Sequence, residues 1–120
     1  MRVIVVGAGE VGTHVAQLLS REGSDVIVIE CNAARIAQID KLLDVTIVHG
    51  SATDPEVMRA AGIAETDLLV AATSIDEVNL VASLIAKLEG VERRVVRLES
   101  PGLRGSRAQR LHEAVGADLV

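Results

Sequence analysis

Val3-Ile4-Val5-Val6-Gly7-Ala8-Gly9-Glu10-Val11-Gly12 decides the fold of this chain. An apolar run, a GxGxxG turn and the start of an amphipathic segment follow one another without a gap. A second apolar run, Val26-Ile27-Val28-Ile29, closes on Glu30, eighteen residues beyond Gly12. Strand, glycine turn, helix, strand and acid in that order form the framework of a dinucleotide-binding unit. Within it Gly7 permits the tight turn, Gly9 lets the backbone approach a pyrophosphate, and Gly12 lets the first helix pack on the sheet. The N-terminus of that helix offers free N–H groups and a partial positive charge to phosphates.

The same alternation continues in both directions from this core. Val11, Val15, Leu18 and Leu19 fall at helical spacing, and Gly23 stops the helix. The second strand shows no polar alternation, as expected when both faces are covered. Asn32 can cap a helix carrying Ile36, Ile39 and Leu43, and a third strand follows at Val45–Val48. Asp54-Pro55 reads as an N-cap with proline at the first helical position, and Gly62 ends that helix. Leu68–Ala72 is the fourth strand. The next helix places Leu80, Leu84 and Leu88 on one stripe, with Ser74-Ile75-Asp76-Glu77 as a capping box.

Val95–Leu98 is the fifth strand, Ser100-Pro101-Gly102 a loop, and Leu111 and Val115 mark a last helix ending at Gly116. Asp118-Leu119-Val120 begins a sixth strand, so the sequence is expected to be a piece of a longer protein. Parallel strands joined by right-handed crossover helices predict a Rossmann-like doubly wound α/β fold. Its sheet has the order 3-2-1-4-5-6 between two helical layers.

Composition narrows the function classes. The 120 residues make one domain, whose core must be aliphatic because Phe, Tyr and Trp are absent. Net charge is −5, and the cations are ten Arg and two Lys. A nucleic-acid groove would need a basic patch and stacking aromatics, and neither is present. One cysteine, Cys31, excludes an internal disulfide and a Cys-rich zinc site, which suits a reducing cytosol. The chain enters a strand at once, giving the expectation of no signal peptide, and no apolar run is long enough to span a bilayer. Any membrane link is therefore expected through a partner.

Glu30 at the end of the second strand can accept from ribose hydroxyls, and its charge disfavours a 2′-phosphate, hence NADP relative to NAD. A solvated strand-end acid is the competing reading. Asn32 can cap the next helix, contact the ribose, or do both. Arg35, one turn later, can stack on adenine or face water. Cys31, between Glu30 and Asn32, reads as an inert small residue rather than a redox switch. After the third strand, His49-Gly50-Ser51-Ala52 leaves space for an adenine ring. Ala72-Thr73-Ser74 would face the phosphates or a second nucleoside across the switch point. Ser74 and Glu77 are explained as caps, which leaves Asp76 and Asn79 as site candidates. His14, His49 and His112 share no metal-ligand spacing and are read as non-catalytic, His14 on an exposed face. Arg104, Arg107 and Arg110 read as a solvated helix face.

Taken together, Gly7–Gly12, Val28-Ile29-Glu30, Val48–Ala52, Ala61-Gly62-Ile63 with Asp67-Leu68, and Asp76-Glu77-Val78-Asn79 resemble the N-terminal domain of TrkA-type proteins. These are the RCK or KTN domains of potassium uptake systems and channels. The resemblance covers residues 1–120, including Arg97 and Gly116-Ala117-Asp118. It implies a non-enzymatic, cytoplasmic, nucleotide-sensing regulatory domain that binds NAD(H), or alternatively ATP or ADP. It also implies a homodimer or higher ring beneath a membrane-embedded potassium transporter subunit, with no nucleic-acid binding and no direct membrane insertion. The family's binding positions fall here on Gly7, Gly9, Glu10, Val11, Glu30, Asn32, Arg35, Ser51, Ala52, Ala72, Thr73 and Asn79. Glu30 stands where Asp is commoner, and Glu10 where some relatives carry Arg, which tilts the reading toward a dinucleotide over ATP. The alternative is the cofactor half of an NAD-dependent dehydrogenase whose catalytic domain lies outside this sequence.

Overall fold

The computed structural model describes residues 1–42 and 44–120. Its strands are β1 (Arg2–Val6), β2 (Asp25–Glu30), β3 (Thr46–His49), β4 (Leu68–Ala71), β5 (Arg93–Val96) and β6 (Asp118–Leu119). All pair in parallel, in the order β3-β2-β1-β4-β5-β6 that the alternating pattern predicts. The helices are α1 (Glu10–Arg21), α2 (Ala33–Leu42), α3 (Pro55–Ala60), α4 (Asp76–Leu88), α5 (Pro101–Arg104) and α6 (Gln109–Val115). Leu43, expected on the second helix, lies outside the described residues.

Strand side chains alternate between two apolar layers. Val3, Val5, Val26, Val28 and Val70 pack with Ala16 of α1 and Ile39 of α2. Ile4, Val6, Ile27, Ile29 and Leu69 point the other way, onto Met58 of α3 and Ala82 and Ala86 of α4. Each fully buried Val, Leu or Ile contributes on the order of 1.5–3 kcal/mol, so aliphatic residues alone supply a core.

Four expectations change. Strand β5 starts at Arg93 and ends at Val96, two residues earlier than its apolar run suggests. The reason is Arg94, which is buried in the strand yet hydrogen-bonded to Ser83 Oγ (3.3 Å), Gly116 O (3.2 Å) and Val115 O. Those carbonyls form the negative end of α6 and meet the guanidinium charge. The stretch after β5 is no simple loop, because Ser100 begins the short helix α5.

The arginines read as one helix face are divided among α5, a 3-10 turn and α6, and Arg104 donates to Leu98 O (2.7 Å) and Val120 O (2.6 Å). Finally, α4 meets the sheet with Ala82, Ser83 and Ala86, while Leu84 and Leu88 face outward, Leu88 79% exposed. Both stripes have helical spacing; the small residues win the inner face because they let the helix approach the sheet.

Candidate functional site

The carboxyl ends of β1, β2, β3 and β4 converge at the switch point, where β1 lies between β2 and β4. Gly7 has φ +99°, and a Cβ there would stand 3.0 Å from the Thr73 methyl. Gly12 is more constrained: its Cβ would lie 1.8 Å from the Gly7 carbonyl oxygen. Gly12 therefore lets the helix close back on its own entry turn, a tighter demand than packing on the sheet. Helix α1 starts from Gly9 with no side-chain cap among the described residues. Its first-turn N–H groups stand available to an anion.

Glu30 is 5% exposed. Its Oε1 accepts from Ala8 N–H (2.7 Å) and its Oε2 from Asn32 N–H (2.8 Å). The carboxylate thus ties the glycine turn to the start of α2, and each oxygen keeps a second lone pair for another donor. The reading of Glu30 as a solvated acid is overturned by this burial. Asn32 Oδ1 accepts from Ala34 N–H (2.9 Å) and Arg35 N–H (3.2 Å), which closes the N-terminus of α2. Arg35 lies across the glycine turn, its guanidinium 3.6 Å from where a Gly9 Cβ would be.

A cleft of about 120 Å3 opens beside Glu30, bringing together Gly7, Arg35, Ser51, Ala52 and Thr73. The loops after β3 and β4 both wall this cleft. On the other side of the glycine turn, Gly9, Glu10 and Arg35 border an open hollow of about 540 Å3 with Thr13, His14 and Gln17. Arg35 belongs to both. Val11, Asn32, Ala72 and Asn79 line neither.

Asn79 is fully buried and saturated by its own chain. Its Oδ1 accepts from Thr73 N–H (3.0 Å) and Thr73 Oγ1–H (2.6 Å), and its Nδ2 donates to Thr73 O (3.0 Å) and Arg97 O (2.8 Å). It shapes the turn after β4 from within. Asp76 is likewise engaged: its two carboxylate oxygens accept from Glu99 N–H (3.0 Å) and Ser100 N–H (2.7 Å). The expected capping box is absent among the described residues, because α4 begins from Ile75 with no side-chain cap. Ser74 lies on the cleft wall instead. Sequence reading missed Ile75 and Val78, which also line the cleft; an apolar residue at a cap position was the available signal.

His14 is exposed on α1, the His49 ring nitrogen lies 3.1 Å from Cys31 O, and His112 is bonded to Leu103 O. Among the described residues no three His, Cys, Asp or Glu side chains gather as a metal site, and no helix is long and apolar enough to cross a membrane.

Sheet order, glycine turn and strand-end acid define a Rossmann-like domain. Residues 3–120 match the TrkA-N domain, and the chain belongs to that family. It is 42% identical to a Trk system potassium uptake protein TrkA homolog of Archaeoglobus fulgidus over 84% of this chain and 23% of that protein. It is 34% identical to the Trk system potassium uptake protein TrkA of Halomonas elongata over 100% of this chain and 26% of the relative. The chain therefore spans about a quarter of the length of these relatives. The TrkA-N domain of the inner membrane protein YbaL of Escherichia coli superposes with a TM-score of 0.82 at 19% identity, covering 99% of this chain and 85% of that one. The GsuK structure bound to ADP gives 0.76 at 26% identity, covering 99% and 29%.

Proposed function

We propose that this domain is a nucleotide-sensing regulatory module of a Trk-type potassium uptake system or channel, and that it binds NAD(H) without turning it over. The observation that carries the reading is Glu30, a buried carboxylate with free lone pairs beside an uncapped helix N-terminus. The pyrophosphate sits at Gly9, Glu10 and Val11, and the adenosine ribose donates to Glu30 beside Asn32. The base enters the cleft of Arg35, Ser51, Ala52 and Thr73. Ala72 and Asn79 act at the turn that forms its far wall.

ADP in the related GsuK structure supports an adenine nucleotide. Glu10 at the helix start would repel a γ-phosphate, which favours NAD(H) over ATP. Regulation then rests on different affinities of the bound nucleotide for two arrangements of the assembly. The assembly is a homodimer or ring at the cytoplasmic face of a membrane-embedded potassium transporter subunit. Leu84 and Leu88, outward on α4, supply an apolar surface for contact between copies.

Titration of NADH and NADPH by their own fluorescence tests the reading, without tryptophan or tyrosine background. A phosphate charge about 4 Å from Glu30 is repelled by up to ~4 kcal/mol at an effective dielectric near 20, and screening reduces this to roughly hundredfold discrimination. ADP competes, because it shares the adenosine half. Glu30→Ala weakens NADH by roughly 1.5–3 kcal/mol and narrows the gap to NADPH. Because Glu30 also holds Ala8 and Asn32, the ratio of the two affinities is the diagnostic, not either one alone. Equal affinity of the unmodified domain for NADH and NADPH would remove Glu30 from the site.

A further inference from the structure

Ile75 occupies the N-cap of α4 with φ −112° and ψ 107°. That position favours Ser, Thr, Asp or Asn, whose side-chain oxygen takes an N–H of the first turn. Isoleucine offers no such acceptor, and its residue stays 54% exposed. Exposed apolar surface at a position built for a polar side chain is a local inconsistency, and such inconsistencies concentrate where a site is made. The backbone of Ile75 is held in place, since its N–H donates to Thr73 Oγ1 (3.2 Å) and Thr73 is locked by Asn79 (2.6 Å). Its surface is therefore presented in a fixed place, on the cleft wall with Val78. The guanidinium of Arg35, also on that cleft, has no hydrogen bond or ion pair among the described residues.

We propose that Ile75 is the apolar wall against which the purine base of the bound nucleotide packs, so that α4 forgoes its cap in favour of a ligand contact. The proposal rests on the nucleotide reading of the cleft given above. The base closes over Ile75 and Val78, while the ribose turns toward Glu30. The recognised chemistry is the flat apolar face of the base, and the contact is common to NADH and ADP.

Two variants separate this role from a role in folding. Ile75→Ser supplies a cap and removes the wall; Ile75→Val keeps an apolar wall and no cap. The expected result is a raised thermal midpoint for Ile75→Ser together with roughly fivefold weaker binding of both NADH and ADP, the scale of losing about half an isoleucine's burial. Ile75→Val keeps both affinities within about twofold of the unmodified protein. Opposite signs in stability and binding are what a purely structural residue would not produce. Unchanged affinity for both ligands in Ile75→Ser overturns the proposal and leaves the nucleotide reading standing. A lowered midpoint in that variant shows that Ile75 serves the fold and also overturns it. If the unmodified protein binds neither NADH nor ADP, the nucleotide reading fails and the role of Ile75 fails with it.

Discussion

The turns after β1 and β4 both lie at the carboxyl edge of the sheet, and both lead into helices without a side-chain cap among the described residues. They are built by opposite means. The first is shaped by missing side chains: Gly7 bends with a positive φ, and Gly12 admits the Gly7 carbonyl where a methyl would collide. The second is shaped by side chains that fill it, since Asn79 spans Thr73 and Arg97 while Asp76 holds the start of the 99–100 segment. Emptiness leaves backbone N–H groups open to an anion. A saturated polar network instead fixes a wall in one conformation. A cleft for a nucleotide needs both, and the two walls meet where Gly7 touches Thr73.

Substitutions can break each side of this contrast. The largest effect belongs to Gly12→Ala, because 1.8 Å to a backbone oxygen cannot be relieved by a rotamer change. Destabilisation above about 3 kcal/mol is expected, read by denaturant unfolding. Full stability of that variant would show that the entry of α1 can shift. Asn79→Ala comes next. It strands Thr73 N–H and the Arg97 carbonyl and leaves the Thr73 carbonyl only a long bond from Arg97 Nη1 (3.5 Å), so a loss of roughly 2–4 kcal/mol is expected. Faster amide exchange at Thr73 should accompany it, reporting that the wall itself has loosened.

Ser74→Ala should do least. A serine closing a capping box would cost about 1 kcal/mol on removal, whereas a serine on the cleft wall should change stability by less than about 0.5 kcal/mol. A loss near 1 kcal/mol would restore the capping box that the observed start of α4 rules out.

Sequence by itself determined the turn after β1 and the sheet around it. Glycine spacing, uninterrupted β-branched runs and an acid at a set distance are local signals, and each follows from backbone sterics or from burial on both faces. Asp54 as the cap of α3 is equally local: its carboxylate takes Glu56 N–H at 2.9 Å, as Asp-Pro at a helix start requires. The tertiary structure alone decided what has two local solutions. The stripe of Leu80, Leu84 and Leu88 and the set Ala82, Ser83 and Ala86 both have helical spacing, and the approach of α4 to the sheet buries the smaller set, keeps Leu80 at the core's edge and turns Leu84 and Leu88 outward.

Asp76 reads as an unassigned acid until residues 99 and 100 arrive beneath it. Arg94, just ahead of the apolar run read as the fifth strand, gains its partners only when the carbonyls of α6 surround it. Even Glu30, whose position the sequence marks, takes its burial from Ala8 and Asn32 folding over it. Spacing along a chain records which residues can share a face. Which partner satisfies a buried polar group depends on segments remote in sequence, and those meet only when the layers close.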